Sequence, residues 1–437
     1  MHDEANTHYM GMIDQTTLGH TFLKKELGVV PKVGWQIDPF GHSATQGGLL
    51  TSGVGFDALY FGRIHYVDLE NRKKNAECEG LWSSSTDNSS VFWGLTGSYS
   101  GNYGGPTGFC FDALCDDETL VRLSEDVLFK RIQTFTHSLG AQANQTKGRN
   151  IMLTMGMDFF YSQADINFEN MDLLIEATSH FLSDGSIKAT DVFGHRFDKV
   201  NIFYSTPERY TKCKYIDAGN AKEDKASTAS DGPTKYDPAT WENKVKQGDF
   251  FPYADCDHCY WSGYFSSRQS LKRLERVGSS FLHAARQIES MVKLQSNVET
   301  DAQKKVDRAE ALDSENSWFS SQLYMLDDAM GIAQHHDGVT GTSKQHVAYD
   351  YAKRIAEGMS DACSLASNGL RELLFGPQSE MLENLSCCHL LNETICDVSQ
   401  VSYIPCFDCA HSSIARGFFT ELILSLSLVP GDISRQQ

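Results

Sequence analysis

The chain has 437 residues, a hydrophobic fraction of 41%, and 57 acidic against 38 basic side chains, for a net charge of −19. Length and apolar content suffice for two or three domains with buried cores and exclude global disorder. So acidic a surface repels phosphate backbones, which excludes nucleic acid as a partner, and the longest apolar run, 418–429, is too short for the ~20 residues that span a bilayer.

Residues 1–210 alternate short apolar runs with helical patterns. The runs 29–37, 58–61, 150–154 and 200–204 read as buried strands bounded by turn residues, with helices at 118–137 and 168–182 between them. That alternation predicts an α/β domain with a parallel sheet, open or β/α-barrel-like, and helices outside it. Chemistry in such folds collects at the C-terminal ends of the strands. The Ser/Gly-rich stretch 83–108 reads as a long surface loop, and the polar stretch 218–249 as a linker or insertion.

From residue 266 the periodicity lengthens. Leu271, Leu274, Val277, Phe281, Ile288 and Met291 fall on one helical face, a second helix is expected at 317–333, and a third carries Val347, Tyr351, Ile355 and Met359 at four-residue spacing. Three such helices predict a small antiparallel bundle. The expected division is an α/β domain at 1–217, a linker at 218–249, a helical middle domain at 250–376 and a Cys-rich tail at 377–437 without clear elements.

Among twelve cysteines, Cys110 and Cys115, Cys256 and Cys259, and Cys388 and Cys396 stand close enough for small disulfide loops or metal ligation. Asn88, Asn144, Asn384 and Asn392 head glycosylation sequons. Together these features point to the secretory pathway. The first residues, Met1-His-Asp-Glu-Ala5, carry neither the basic nor the apolar region of a signal peptide, so none is expected in this chain.

Three motifs carry chemistry. In Gly34-Trp-Gln-Ile-Asp-Pro-Phe-Gly-His-Ser43 an apolar strand runs into Asp38, and a turn at Gly41 follows. The bland alternative is an Asp-Pro turn initiator. In Met155-Gly-Met-Asp158-Phe-Phe-Tyr161 a second strand delivers an acid among aromatic neighbours, whose desolvation suits a general acid. Asp158 could instead cap the next helix. Gln334-His-His-Asp-Gly-Val-Thr-Gly-Thr342 sets two imidazoles and a carboxylate where one helix ends and another begins, a donor set that suits zinc but also ordinary C-terminal capping. Asp38 and Asp158 at two strand ends could be the carboxylate pair of a glycoside hydrolase.

These motifs, in this order, resemble glycoside hydrolase family 38, the class II α-mannosidases. The segment FPYADCDHCYWSGYFSSR at 251–268 is similar to the lysosomal branch, and the likeness runs over about residues 1–396. The resemblance implies a zinc-dependent retaining enzyme that removes terminal α-mannose from mannose-containing oligosaccharides, in a lysosome, vacuole or other secretory compartment. By position it implies Asp38 as nucleophile and zinc ligand, Asp158 as acid/base and His336 as zinc ligand. It further implies Arg63, Asp337 and Phe40 as residues lining the substrate site. The Cys110–Cys115 and Cys388–Cys396 disulfides are likewise implied by this branch.

Two departures are expected to matter. The family's first strand, with a His-x-Asp pair that completes the zinc site, has no counterpart here, and His2 and Asp3 are the only nearby substitutes. The β-rich C-terminal region has none either. The chain is therefore expected to be truncated at both ends, to bind zinc poorly and to turn over little substrate. A sugar-binding or non-functional fragment is the alternative, and another zinc hydrolase on a related β/α fold is a third reading.

Overall fold

His8 opens the first helix. Its extended backbone and its Nδ1, which accepts from the Met10 amide, cap α1 (Tyr9–Leu27), and Gly28 closes the helix at φ 68°. The computed structural model describes residues 1–83, 90–96, 104–193, 200–218, 245–300, 323–376 and Cys387. All of these except Cys387 belong to one contact unit, Met1–Leu382.

β1 (Val33–Gln36) follows α1, then α2 (Ala44–Gly48), β2 (Ala58–Phe61), α3 (Tyr66–Asn75), β3 (Glu79–Ser83) and β4 (Ser90–Leu95). With β5 (Lys246–Gln247) they make one sheet in the order β1-β2-β4-β3-β5. β1 pairs in parallel with β2 (Gln36 opposite Phe61), and β2 in parallel with β4 (Phe61 opposite Leu95). The β3–β4 pair is antiparallel, so the sheet is mixed where a parallel one was expected. β2 is buried throughout: Leu59 and Phe61 face one core, Ala58 and Tyr60 another. Burial on both faces explains why its sequence reads as an unbroken apolar run.

The remaining helices of this part are α4 (Glu125–Ala143), α5 (Ala164–Ser183), α6 (Ala189–Phe193) and α7 (Pro207–Asp217). Phe109, Ile132, Phe135, Leu139, Leu174 and Phe181 form the core between α4 and α5. The middle part is the expected bundle, α8 (Gln269–Thr300), α9 (Tyr324–Ala333) and α10 (Gln345–Phe375). Its core is Leu282, Ile288, Leu326, Met330, Ile355 and Met359, with Leu274, Val277 and Phe281 packed at its margin. Among the described residues no helix is long and apolar enough to cross a membrane.

Three expectations need correction. Residues 150–154 and 200–204 are not strands. Within 150–154 the Met152 carbonyl is taken by the Gln142 side chain, so a side chain satisfies a group that a ladder would have used. The stretch read as one loop, 83–108, contains β4, whose Val91, Phe92 and Trp93 are almost fully buried. The helix expected at 118–137 begins at Glu125, after the Ser124 cap, and runs to Ala143. The expected linker lies outside the described residues at 219–244, as do 317–322 of the second bundle helix and nearly all of the tail.

Candidate active site

β1 and β2 lie side by side in parallel, so their C-terminal ends open at one place. Asp38 lies just past β1 and Arg63 just past β2. Arg63 Nε donates to Asp38 Oδ1 at 2.8 Å, and Nη2 adds a second, shorter bond. His336, from the turn after α9, sets Nε2 3.0 Å from Asp38 Oδ2. The three side chains are 4–16% exposed, His336 least. Burial of Asp38 disfavours its charge. The bond with His336 and the Arg63 guanidinium outweigh that cost and hold the carboxyl down at about 2. Burial also acts against a charged His336, but the bonds to Asp38 and the Met1 carbonyl prevail and raise its pKa.

The imidazole contacts decide what this pair can hold. His336 Nδ1 stands 3.0 Å from the Met1 carbonyl, which can only accept, so Nδ1 carries the proton. Nε2 then faces a carboxylate oxygen, a contact that requires either a second proton or a cation between the two. An imidazole nitrogen and a carboxylate oxygen are zinc donors, and an Nδ1–H bond to a backbone carbonyl is the usual outer support of a metal-binding histidine. Asp38 Oδ2 and His336 Nε2 are thus donors of the kind that zinc takes, two of the three or four protein ligands that a zinc site uses. His336 also belongs to a group with His335 and Asp337 whose ligand atoms lie within 4.8 Å of one another. Asp255, Cys256 and Cys259 form a second such group, but its cysteines are joined in a disulfide and have no thiolate to offer.

The turn that carries Asp38 is gripped from several sides. Gly41 has φ 105°, and a Cβ there would stand 2.4 Å from the Phe251 ring. His42 exchanges backbone hydrogen bonds with Phe250 (3.3 and 2.8 Å), and Tyr264 Oη donates to the Phe40 carbonyl at 2.8 Å. Glu4, buried to 5% exposure, receives the Ser43 amide at 2.7 Å, contacts His42 Nδ1 at 2.9 Å and accepts from Gln36 Nε2 at 3.1 Å. Sequence reasoning passed over Glu4, Tyr264 and Gln36. Gln36 and Tyr264 lie inside the quoted segments 34–43 and 251–268, but only burial in the fold marks their roles, and for Glu4 no motif does.

Phe40, expected to line the substrate site, is 5% exposed. Its ring packs 5.0 Å from Trp261 and edge-on to His336 at 5.9 Å, and the Arg63 guanidinium lies 5.5 Å from it. Tyr253 and Trp261 complete an aromatic setting around Arg63, at 5.7 and 5.1 Å. Asp337 is half-exposed and accepts from the Thr342 hydroxyl at 3.1 Å. His2 pairs by backbone with His335 and is buried, with Gln15 Nε2 2.9 Å from its Nδ1. Asp3 Oδ2 is taken by the Asn6 amide at 2.6 Å.

Asp158 is not drawn into this cluster. It is exposed in the turn before α5 and makes no hydrogen bond or ion pair among the described residues. The desolvating neighbours expected for it are themselves in solvent, Met157 at 55% and Phe159 at 86% exposure. Phe159 and Tyr161 both have positive φ, at 65° and 67°, which marks a strained turn. Cys110 and Cys115 form a disulfide, Asn144 is exposed, and Cys388, Cys396 and the other three sequons lie outside the described residues.

Residues 1–255 match the family described as glycosyl hydrolases family 38, N-terminal domain, and residues 259–373 match the alpha mannosidase middle domain. A probable alpha-mannosidase of Arabidopsis thaliana is 39% identical over 408 residues, which cover 92% of this chain and 34% of that protein. Lysosomal alpha-mannosidases of Cavia porcellus and Homo sapiens are 37% and 36% identical, each match covering 92% of this chain and 35% of the relative. The chain thus spans about a third of the length of these relatives. The crystal structure of an alpha-mannosidase from Enterococcus faecalis superposes with a TM-score of 0.51 at 13% identity, covering 85% of this chain and 33% of that one, a likeness of fold.

Proposed function

The chain belongs to glycosyl hydrolase family 38, and on that premise we propose that its site is that of a retaining α-mannosidase acting on terminal α-mannose of oligosaccharides. The observation that carries the reading is Asp38: a strand-end carboxylate held ionised by Arg63 and faced by His336. An ionised carboxylate is the form that attacks an anomeric carbon. A carboxylate oxygen of Asp38 bonds to C1 as the glycosidic C–O bond breaks, Asp158 delivers a proton to the departing oxygen, and a glycosyl-enzyme ester on Asp38 results. Asp158 then takes a proton from water, which attacks C1 as the C1–O bond to Asp38 breaks, freeing Asp38 as a carboxylate and releasing mannose with its configuration retained. Arg63 fixes the orientation of Asp38, and Phe40, Trp261 and Tyr253 hold Arg63 in place.

Asp38 and His336 would hold zinc, and the chemistry it supplies there is Lewis-acid polarisation of hydroxyls on the bound sugar. The lysosomal relatives and the Cys110–Cys115 disulfide support a lysosomal or vacuolar setting. The test is turnover of an aryl α-mannoside by the zinc-supplemented chain. Turnover lost both on chelation and in Asp38→Ala supports the reading, and turnover that survives in Asp38→Ala removes it.

A second reading, a sugar-binding site without turnover, rests on the exposure of Asp158, which among the described residues makes no hydrogen bond or ion pair with the Asp38 cluster. Mannoside binding by titration, with no release of the aryl group, selects this reading over the first.

A further inference from the structure

Next to the Asp38 cluster stands a group of rings that the proposed chemistry leaves unused. Tyr260 is 54% exposed, and its ring centre lies 5.8 Å from that of His65, which in turn stacks on Tyr66 at 5.0 Å and 22°. All three are held in place. His65 caps α3, with Nδ1 accepting from the Val67 amide at 3.2 Å, so Nε2 carries the proton and is left as a donor. The Tyr66 amide donates to the Ala254 carbonyl at 2.9 Å, and Ala254 pairs across an antiparallel bridge with Tyr260. Between those two bridge residues, the Cys256–Cys259 disulfide closes the loop that presents Tyr260.

The chain itself ties this group to the reactive centre. Tyr260 adjoins Trp261, and His65 lies two residues beyond Arg63, at most ~7 Å of extended backbone. Trp261 and Arg63 are in contact at 5.1 Å, and Arg63 holds Asp38. A second ring joined to a ring at Asp38 would extend past Arg63 and Trp261, and the Tyr260 and His65 rings are the nearest aromatic pair next to those two residues in sequence. The exposed Tyr260 ring, backed by the half-buried His65 and Tyr66, suits a pyranose, whose C–H groups pack on the ring while its hydroxyls meet nearby donors such as His65 Nε2.

We infer that Tyr260, His65 and Tyr66 form an outer subsite for the second sugar of a mannose-containing oligosaccharide, held in position by the Cys256–Cys259 loop. This rests on the mannosidase reading above. The test compares binding of methyl α-mannoside, which has one ring, with binding of an α-linked mannobiose to the zinc-supplemented chain, in wild type, Tyr260→Ala and Tyr260→Trp. The expected result is that the wild type favours the disaccharide by about three- to tenfold, the scale of one aromatic stacking contact. Tyr260→Ala should erase that preference while keeping its affinity for methyl α-mannoside, and Tyr260→Trp should restore it. A preference that persists in Tyr260→Ala overturns the subsite and leaves the mannosidase reading standing. Equal affinity for both sugars in the wild type does the same. Binding of neither sugar by the wild type removes the mannosidase reading and the subsite with it. A melting temperature of Tyr260→Ala equal to wild type shows that the exposed ring was removed without loss of fold.

Discussion

Asp38 and Asp158 are each expected from a strand end, yet the structure treats them differently. Asp38 is fastened on both oxygens, whereas Asp158 sits exposed in a strained turn without a hydrogen bond or ion pair among the described residues. Their roles should therefore separate in kinetics. Asp158→Ala is expected to slow glycosides with poor leaving groups by 10²-fold or more, on the scale of general-acid catalysis, and activated aryl glycosides far less. Equal losses on both substrates would count against the acid role. Gly41 makes the Asp38 turn possible, because its φ of 105° and the Phe251 ring leave no room for a side chain. Gly41→Ala should lower stability by about 1–3 kcal/mol, read as a lower midpoint in thermal or urea unfolding. An unchanged midpoint would mean that the turn is looser than its contacts indicate. Asp38 was legible because an Asp-Pro-Phe-Gly sequence after an apolar strand is a local signal. Glu4 was not, because its partners Gln36, His42 and Ser43 are brought to it only by the tertiary fold.

At the scale of elements, legibility followed burial. β2 was read to the residue because both its faces are buried, and the bundle because its helices repeat their apolar face over many turns. Residues 150–154 and 200–204 were misread because a short apolar run packs equally well as unpaired extended chain, which periodicity cannot distinguish from a strand. β4 was hidden by the Ser- and Gly-rich sequence around it. The bundle also carries a pH-sensitive contact. Arg286 of α8 donates to Asp14 of α1 at 2.8 Å and, through a shorter bond, to Asp327 of α9. Burial pushes the Asp327 carboxyl up to about 6, more than Arg286 pulls it down. A folded pKa above the unfolded value near 3.8 means that the native state binds the extra proton. This contribution to stability is complete below about pH 4 and is lost as pH rises through 6. Asp327→Asn should remove that slope, worth on the order of 1–3 kcal/mol, from unfolding midpoints measured between pH 4 and 7. A slope unchanged in Asp327→Asn would assign it to another group.

At the scale of the molecule, the site is a product of two parts folding together. Asp38 comes from the sheet and His336 from the bundle, 298 residues apart in sequence, and their 3.0 Å contact exists only where those parts meet. Sequence spacing could not show that meeting; only the order of the motifs, through the family resemblance, suggested it. The same junction includes Met1, whose carbonyl fixes the His336 proton. Covalent trapping decides whether Asp38 is the nucleophile. The zinc-supplemented chain is incubated with a fluorinated mannosyl donor whose glycosyl-enzyme hydrolyses slowly, then digested and mapped by mass spectrometry. The expected result is one mannosyl adduct, on Asp38 in the peptide around Gly34–Ser43, absent from Asp38→Asn. An adduct on another carboxylate, or aryl mannoside turnover with no adduct on Asp38, would contradict it.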